Sequence, residues 1–424
     1  MTGTFAGQGS RFALPDVMGR VGGLWDKAPW YARYLAYALL IAFAFALPSE
    51  TIGSFMTPQA DWPSVLFYPI GVYVLLAIGL NVVVGQAGLL DLGFVAFFAI
   101  GAYALAIFAT NNGWNFWEAL PVGIIIAMAA GVILGSPTLR LRGDYLAIVT
   151  LGFGEIIRIT ANNLDWTGGP RGISPIPYPP SVEGFEIGDV EPLKYGVLDA
   201  RPYYYLLLVF IILTIILVKR LEKSRVGRSW AAIREDEDAA ELMGVPTFKF
   251  KIVAFIIGAA IGGLAGVVFG SQTTSITPVN FPFILSALIL CAVVLGGSGN
   301  LVGVIVGAFL IAWLPERFRE FADYRMLVFG AALVLMMIVR PEGLIPSRRR
   351  RAELAEGTGG LGALGGEAGA ATAQHVHADV LTPAGGHPDG GHPDGDHADG
   401  SRPDGSRPDG TGGATVATDR EADR

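Results

Sequence analysis

Cysteine and histidine are nearly missing from the apolar part of this 424-residue chain. Cys291 is the only cysteine, which excludes an internal disulfide and a thiolate metal cluster. The five histidines all lie after Arg351, so the apolar part has none for a proton relay, haem ligation or a catalytic triad. We therefore expect no metal site and no cofactor.

Nucleotide-binding and hydrolytic motifs are also missing. No Gly-x-x-x-x-Gly-Lys-Ser/Thr loop occurs, so the chain lacks the phosphate-binding loop of ATPases. Neither Gly-x-Ser-x-Gly nor His-Glu-x-x-His is found. The sequence predicts a protein that is not an enzyme, and any ATP that drives it must be hydrolysed by another chain.

Apolar residues make up 52% of the chain and are gathered into long blocks between Trp30 and Val339. A hydrocarbon core about 30 Å thick requires about 20 apolar helical residues for one crossing. Stretches near this length predict an all-α, polytopic membrane helix bundle with about ten spans. The predicted spans are 30–47, 65–84, 89–109, 119–136, 144–162, 203–218, 251–270, 283–297, 301–314 and 325–339.

Lysine and arginine placement sets the predicted orientation, because cytoplasmic loops are enriched in both. The leader 1–29 carries basic residues, and further basic clusters follow the predicted sixth and tenth spans. This pattern predicts cytoplasmic N and C termini, an external segment at 163–202 and a cytoplasmic loop at 219–250. We expect the multi-pass domain 30–346 to lie in the lipid bilayer of a bacterial inner (plasma) membrane.

Residues 347–424 are rich in Gly, Asp, His and Pro, and they hold the acidic excess of a chain whose remainder is slightly basic. Such a segment cannot bury enough apolar surface to offset its ordering entropy, which predicts a disordered cytoplasmic tail. Its composition favours a plain linker over the alternative, weak metal binding at the His-Pro-Asp repeats. The acidity belongs to this tail and carries no information about substrate or nucleic acid, and we expect no nucleic-acid partner.

The segment 229–246 stands out in the predicted cytoplasmic loop. Its glutamates favour a helix, and Gly244 followed by Pro246 predicts where that helix ends. Small residues at Ala239 and Ala240 allow the groove of another protein to approach the backbone closely. The alternative is a solvated loop helix without a partner.

The run Asp238-Ala239-Ala240-x-x-x-Gly244 resembles the Glu-Ala-Ala-x-x-x-Gly coupling-helix motif of ATP-binding cassette (ABC) importer permeases. In that family the helix docks in a cleft of the ATPase subunit, so the resemblance implies an ATPase-coupling role. The chain differs from the motif in its leading Asp and in lacking the downstream Leu-Pro. The predicted coupling residues are Arg234, Glu237, Asp238, Ala239, Ala240 and Gly244.

Polar side chains and glycines are interspersed between the second and third predicted spans, at Asn81, Gln86 and Asp91. An unpartnered polar group at membrane depth is costly, so these side chains must face protein or water. The glycines permit a broken helix that exposes peptide groups to a substrate. A tight interhelical turn with satisfied polar groups is the alternative.

The fifth predicted span places Asp144, Glu155 and Arg158 on one helical stripe, with Asp144 and Glu155 about 16 Å apart along the axis. Glu155 and Arg158 are close enough to neutralise each other. An ion pair at this depth indicates either a substrate pathway or a structural pair. The predicted pathway residues of these two blocks are Asn81, Gln86, Asp91, Asp144, Glu155 and Arg158.

The two polar blocks, with residues 285–307 and the run from Arg340 to Leu344, closely resemble the LivM-type permeases of branched-chain amino-acid importers. The resemblance implies an import permease for branched-chain amino acids. It also implies a second permease of similar fold as heterodimer partner, two ABC ATPase subunits and an external solute-binding protein. Urea or short amides are alternative substrates, and an ion-coupled secondary transporter is an alternative mechanism.

Four glycines recur every fourth residue in the seventh predicted span. Small residues at this spacing allow two membrane helices to approach closely. The pattern predicts helix packing, within the chain or against the partner permease, instead of a role with substrate. The glycines are Gly258, Gly262, Gly266 and Gly270.

Overall fold

A computed structural model describes most of the apolar part of the chain and little outside it. The described residues are 39, 42–57, 60–138, 144–181, 194–196, 199–317, 327, 330–331, 334 and 343–345. All of them lie in the first of two compact units, Met1–Thr358. The predicted leader, the predicted disordered tail and most of the first and tenth predicted spans lie outside the described residues.

The described residues are mainly helical and contain no β-strand beyond one isolated bridge between Ile173 and Ile276. Eleven helices are numbered here in chain order. They are α1 (Glu50–Met56), α2 (Trp62–Gln86), α3 (Val95–Asn112), α4 (Phe116–Thr138), α5 (Asp144–Asn163), α6 (Arg201–Glu222), α7 (Arg225–Glu235), α8 (Glu237–Leu242), α9 (Thr247–Thr273), α10 (Phe283–Gly296) and α11 (Leu301–Arg317).

Six of the described helical segments are long and apolar enough to cross a membrane: α2, α3, α4, α6, α9 and the segment Pro278–Gly296 that contains α10. These six coincide with predicted spans. Two more predicted spans are also helices, but α5 carries charged residues and α11 is only 17 residues long. The structure thus shows a helical bundle with six candidate spans.

Helix α9 lies at the centre of the bundle and packs against α2, α3 and α4. Its four regularly spaced glycines are buried within this chain. A Cβ on Gly258 would lie 2.6 Å from Val83 Cγ2 in α2, and a Cβ on Gly266 would overlap the backbone carbonyl oxygen of Phe98 in α3. The glycine stripe therefore brings the backbones of α9 and α3 into direct contact.

Helices α10 and α11 form a hairpin whose turn follows Gly296. Backbone bonds from Leu344 N to Leu295 O (2.8 Å) and from Ile345 N to Gly296 O (3.1 Å) attach a later segment to this turn. Asn300 Nδ2 donates to Ile345 O at 3.1 Å. A separate bond holds the turn beside the last part of α2, where Asn81 Oδ1 accepts from Gly299 N at 2.9 Å.

Candidate functional site

Glu155 and Arg158 form a doubly hydrogen-bonded ion pair on α5. Arg158 Nε donates to Glu155 Oε2 at 2.6 Å, and Arg158 Nη2 donates to Glu155 Oε1 at 3.1 Å. Their side chains keep 35% and 38% of their surface accessible, Arg158 first. The predicted neutralising pair is present, and it faces an opening instead of a packed interior.

That opening is a solvent-open cavity between α3, α5 and the start of α10. Its walls are mainly apolar, and its polar edge consists of the ion pair and Ser286. The Ser286 hydroxyl accepts a hydrogen bond from Val95 N at 3.2 Å, which ties the first turn of α3 to α10. The cavity therefore combines an apolar surface with a neutral pair of opposite charges. The apolar lining includes Leu92, Val95, Ala96, Ala99, Leu151, Phe281 and Phe283.

Asp91 directly precedes the cavity-lining Leu92, in the irregular segment between α2 and α3, and is fully buried. Its Oδ1 accepts from Gly93 N at 2.8 Å, while Oδ2 has no hydrogen-bond partner among the described residues. Leu92 N donates to Thr150 Oγ1 of α5 at 3.0 Å, and a Cβ on Gly93 would overlap the Thr150 carbonyl oxygen. The segment thus breaks the helix and packs tightly against α5.

Asn81 and Gln86 lie away from the cavity, at the end of α2 beside the turn after α10. Asn81 is 1% exposed, and its amide nitrogen Nδ2 is buried without a hydrogen-bond partner among the described residues, as is Gln86 Oε1. The structure therefore separates the predicted pathway residues into distinct places. Glu155 and Arg158 line the cavity, Asp91 supports it, and the side chain of Asp144 lies outside the described part of the chain.

The predicted single helix within 229–246 is wrong, because Asp236 breaks it into α7 and α8. Asp236 adopts extended backbone angles (φ −156°, ψ 113°), and its Oδ1 accepts from Ala239 N at 3.0 Å. Aspartate at this position caps the N-terminus of α8 and thereby stabilises the start of a new helix.

Helix α7 is anchored to the bundle by one face. Trp230 is fully buried, and its Nε1 donates to Phe250 O in α9 at 2.7 Å. Arg234 Nη1 donates to Gly85 O at the end of α2. A Cβ on Gly88 would lie 2.9 Å from Arg234 Cγ, so the two segments are in close contact. A hydrogen bond therefore joins the predicted cytoplasmic loop 219–250 to the predicted polar segment between the second and third spans.

Helix α8 turns some of its predicted coupling residues inward and others outward. Glu237 forms an ion pair with the buried Lys251 of α9. Ala240 is only 5% exposed, whereas Asp238 and Ala239 are exposed. Only Ala239 therefore presents the small outward surface that the sequence suggested for both alanines.

The C-terminus of α8 presents two exposed apolar side chains that the sequence reasoning missed. Leu242 is 88% exposed and Met243 is 85% exposed. Gly244 follows with φ 84°, and bonds from its N to Glu241 O (2.9 Å) and from Val245 N to Ala240 O (3.0 Å) close a Schellman turn. Two apolar residues directly before a terminating glycine were the available signal.

The six long apolar helices, the cavity beside a charged helix and this protruding loop together define a multi-pass membrane permease.

Comparison with known proteins gives the family. Residues 64–337 match the family described as the branched-chain amino acid transport system permease component. The high-affinity branched-chain amino acid transport system permease protein LivM of Escherichia coli (strain K12) is 44% identical over 300 residues, covering 68% of this chain and 70% of LivM. The LivM protein of Salmonella typhimurium (strain LT2) shows the same identity and coverage. This chain belongs to the family of branched-chain amino acid transport permeases and is of the LivM type.

A second group of relatives is more distant. The permease protein LivH of Escherichia coli (strain K12) is 26% identical over 285 residues, covering 64% of this chain and 91% of LivH. No solved structure matches the chain significantly.

Proposed function

We propose that this chain is the transmembrane permease subunit of an ABC importer that moves branched-chain amino acids into the cytoplasm. The observation that carries the proposal is the 44% identity to a LivM permease over 68% of the chain. The cavity at Glu155 and Arg158 supplies a path element, and the loop 219–250 supplies a surface for a driving subunit.

Partner chains provide the energy and the cargo in this proposal. Two ABC ATPase subunits hydrolyse ATP, an external solute-binding protein delivers the amino acid, and a second permease of similar fold completes a heterodimer. The accessible Glu155–Arg158 pair supports the second permease, because charges at membrane depth require a protein or aqueous neighbour instead of lipid.

Docking of an ATPase takes place at α8 in this proposal. The exposed residues Ala239, Leu242 and Met243 form an apolar projection, here called the α8 tip, which suits a hydrophobic cleft. Movement of the α8 tip passes to α7 across the short break at Asp236. It then reaches α2 through the Arg234–Gly85 bond and the turn after α10 through the Asn81–Gly299 bond.

The proposed arrangement in the membrane follows the distribution of basic residues. About ten spans cross a bacterial inner membrane, with both termini and the loop 219–250 in the cytoplasm and the segment 163–202 outside. The side of the loop agrees with ATPase docking, since ATP is available in the cytoplasm.

Uptake by membrane vesicles tests the proposal. Vesicles from strains with and without this chain are supplied with ATP, the solute-binding protein and radiolabelled leucine or urea, with and without an uncoupler. We expect ATP-dependent leucine uptake that requires the chain and persists with the uncoupler. If the deletion strain lost urea uptake but kept leucine uptake, branched-chain amino acids would be the wrong substrate. If uptake depended on the uncoupler-sensitive ion gradient and not on ATP, the ABC mechanism would be wrong.

A further inference from the structure

The cavity beside Glu155 and Arg158 lies halfway along a helix long enough to cross the bilayer. At 1.5 Å per residue, α5 is about 30 Å long, and its cavity-lining part runs from about 10 Å (Leu151) to about 21 Å (Arg158) after its first residue. Transporter binding sites lie near the bilayer midplane. The position of the cavity is therefore that of a site for cargo.

Helix α10 begins at the same cavity. Phe281, just before it, packs edge-to-face against Phe98 of α3 with ring centroids 5.2 Å apart, and both Phe281 and Phe283 line the cavity. Pro282 is the N-cap residue and provides no side-chain hydrogen bond to the first turn. Leu285 N in this turn donates to Pro282 O at 3.0 Å. The first N–H groups of a helix generally lack intrahelical partners and favour an anion, so the start of α10 adds to the positive charge of Arg158.

The ion pair makes the cavity electrically neutral while presenting both signs of charge. A guanidinium has five N–H donors, and the two bonds to Glu155 occupy two of them. A carboxylate likewise accepts more than one hydrogen bond per oxygen. The pair can therefore bind a ligand that carries one carboxylate and one ammonium without leaving an uncompensated charge in the membrane.

The remaining walls suit an aliphatic side chain. Leu92, Val95 and Ala99, which line the cavity, all have apolar side chains. Urea has neither a charged head nor an aliphatic group, so this surface offers it little.

We propose that this cavity, in the importer proposed above, is a transient binding site for the zwitterionic head and aliphatic side chain of the transported amino acid. Arg158 and the start of α10 bind the carboxylate, Glu155 binds the ammonium group, and the Leu92–Val95–Ala99 wall contacts the side chain. The inference rests on the proposed function and adds a substrate-selecting site within the permease itself.

The test measures leucine transported per ATP hydrolysed by the complete transporter in proteoliposomes, with saturating leucine-loaded binding protein. One variant removes both charges but keeps polar side chains of similar length, Glu155→Gln with Arg158→Gln. A second, Ala99→Leu, narrows the cavity without changing charge. The matched control is Ala129→Leu, at an exposed position of α4 outside the cavity.

We expect both cavity variants to lower leucine transport per ATP by about tenfold or more, a loss of about 1.4 kcal/mol in stabilisation of the cargo, with stimulated ATPase activity retained. The control should transport like the wild type. If either cavity variant transports leucine normally, the site is wrong. If the charge exchange Glu155→Arg with Arg158→Glu restores full transport, the pair is only structural and the site is also wrong.

These outcomes are distinct from failure of the proposed function. In that case the wild-type complex itself would show no ATP-dependent leucine uptake. If the doubly neutral variant fails to assemble, the Ala99→Leu variant decides the question, because it leaves the ion pair in place.

Discussion

Arg234 of α7 donates a hydrogen bond from its guanidinium to the backbone carbonyl of Gly85, at the end of α2. The two residues are 149 positions apart in sequence, and their contact joins the loop between α6 and α9 to the candidate membrane span α2. Gly88 lies against the aliphatic part of the same arginine side chain. The acceptor is a backbone oxygen, which no substitution of Gly85 removes. The contact is therefore tested by a change at Arg234.

Replacing Arg234 with alanine should uncouple ATP hydrolysis from transport. A hydrogen bond to a charged group contributes about 1.5–3 kcal/mol, and its loss frees α7 from α2. We expect leucine uptake to fall severalfold while ATPase subunits remain bound, as measured by uptake and co-purification from the same membranes. Arg228→Ala is the control, since Arg228 is an exposed arginine of the same helix. Equal uptake in the two variants would contradict the proposed transmission route.

Charging the α8 tip should prevent ATPase docking. Burial of a leucine or methionine side chain contributes about 1.5–3 kcal/mol to an interface, and an aspartate there adds a desolvation cost. We expect Leu242→Asp and Met243→Asp to reduce co-purified ATPase by about tenfold or more with normal membrane insertion. Trp166→Asp is the control, because Trp166 is also an exposed apolar residue but lies outside the loop and outside the six candidate spans. Undiminished co-purification with the tip variants would rule out the tip as the docking surface.

Gly244→Ala should impair coupling through backbone strain. Gly244 has φ 84°, and a residue with a Cβ in the left-handed region costs about 1–2 kcal/mol. The strain is expected to displace the end of α8 and lower uptake, measured with labelled leucine. Gly113→Ala is matched to it, since Gly113 ends α3 with φ 69° and has open space around it. If both variants are destabilised to a similar extent but Gly113→Ala keeps normal uptake, the loss of uptake in Gly244→Ala is due to impaired coupling. Equal uptake in both variants would refute the coupling role of Gly244.

Gly266→Ala should destabilise the bundle. Its new methyl group would overlap the Phe98 carbonyl oxygen, which is backbone and cannot move aside as a side chain does. Overpacking typically costs about 1–3 kcal/mol, whereas alanine is favoured over glycine by up to about 1 kcal/mol at an open helical position. Gly152 of α5 is such a position, because a Cβ placed there would have no heavy atom of another segment within 4 Å. Thermal unfolding in detergent should therefore rank Gly266→Ala below the wild type and Gly152→Ala at or above it.

The six long apolar spans were predictable because membrane length and hydropathy are local properties of the chain. The break at Asp236 was not, because the same residue is tolerated in a helix interior and preferred as a cap. Which of the two occurs depends on the burial of Trp230 and Ala240 on either side of the break. Inward placement of Ala240 likewise results from packing against the bundle, which the motif spacing does not encode.

The candidate site was only partly predictable for a similar reason. The i, i+3 spacing of Glu155 and Arg158 is sufficient to predict their ion pair. Separation of Asn81 and Gln86 from that pair depends on contacts between distant segments, such as Asn81 with Gly299 across 218 residues. The cavity itself arises where α10 begins beside α3, a tertiary feature that hydropathy cannot locate.

Backbone contact between α9 and α3 at Gly266 limits which parts of the permease can move. Two helices that touch through main-chain atoms cannot slide past one another without losing that fit. α3 and α9 thus act as a fixed frame, with displacement during a transport cycle confined to elements joined by side chains. Arg234 and Trp230 join α7 to the bundle through side-chain hydrogen bonds, so α7 is an element that can move relative to this frame.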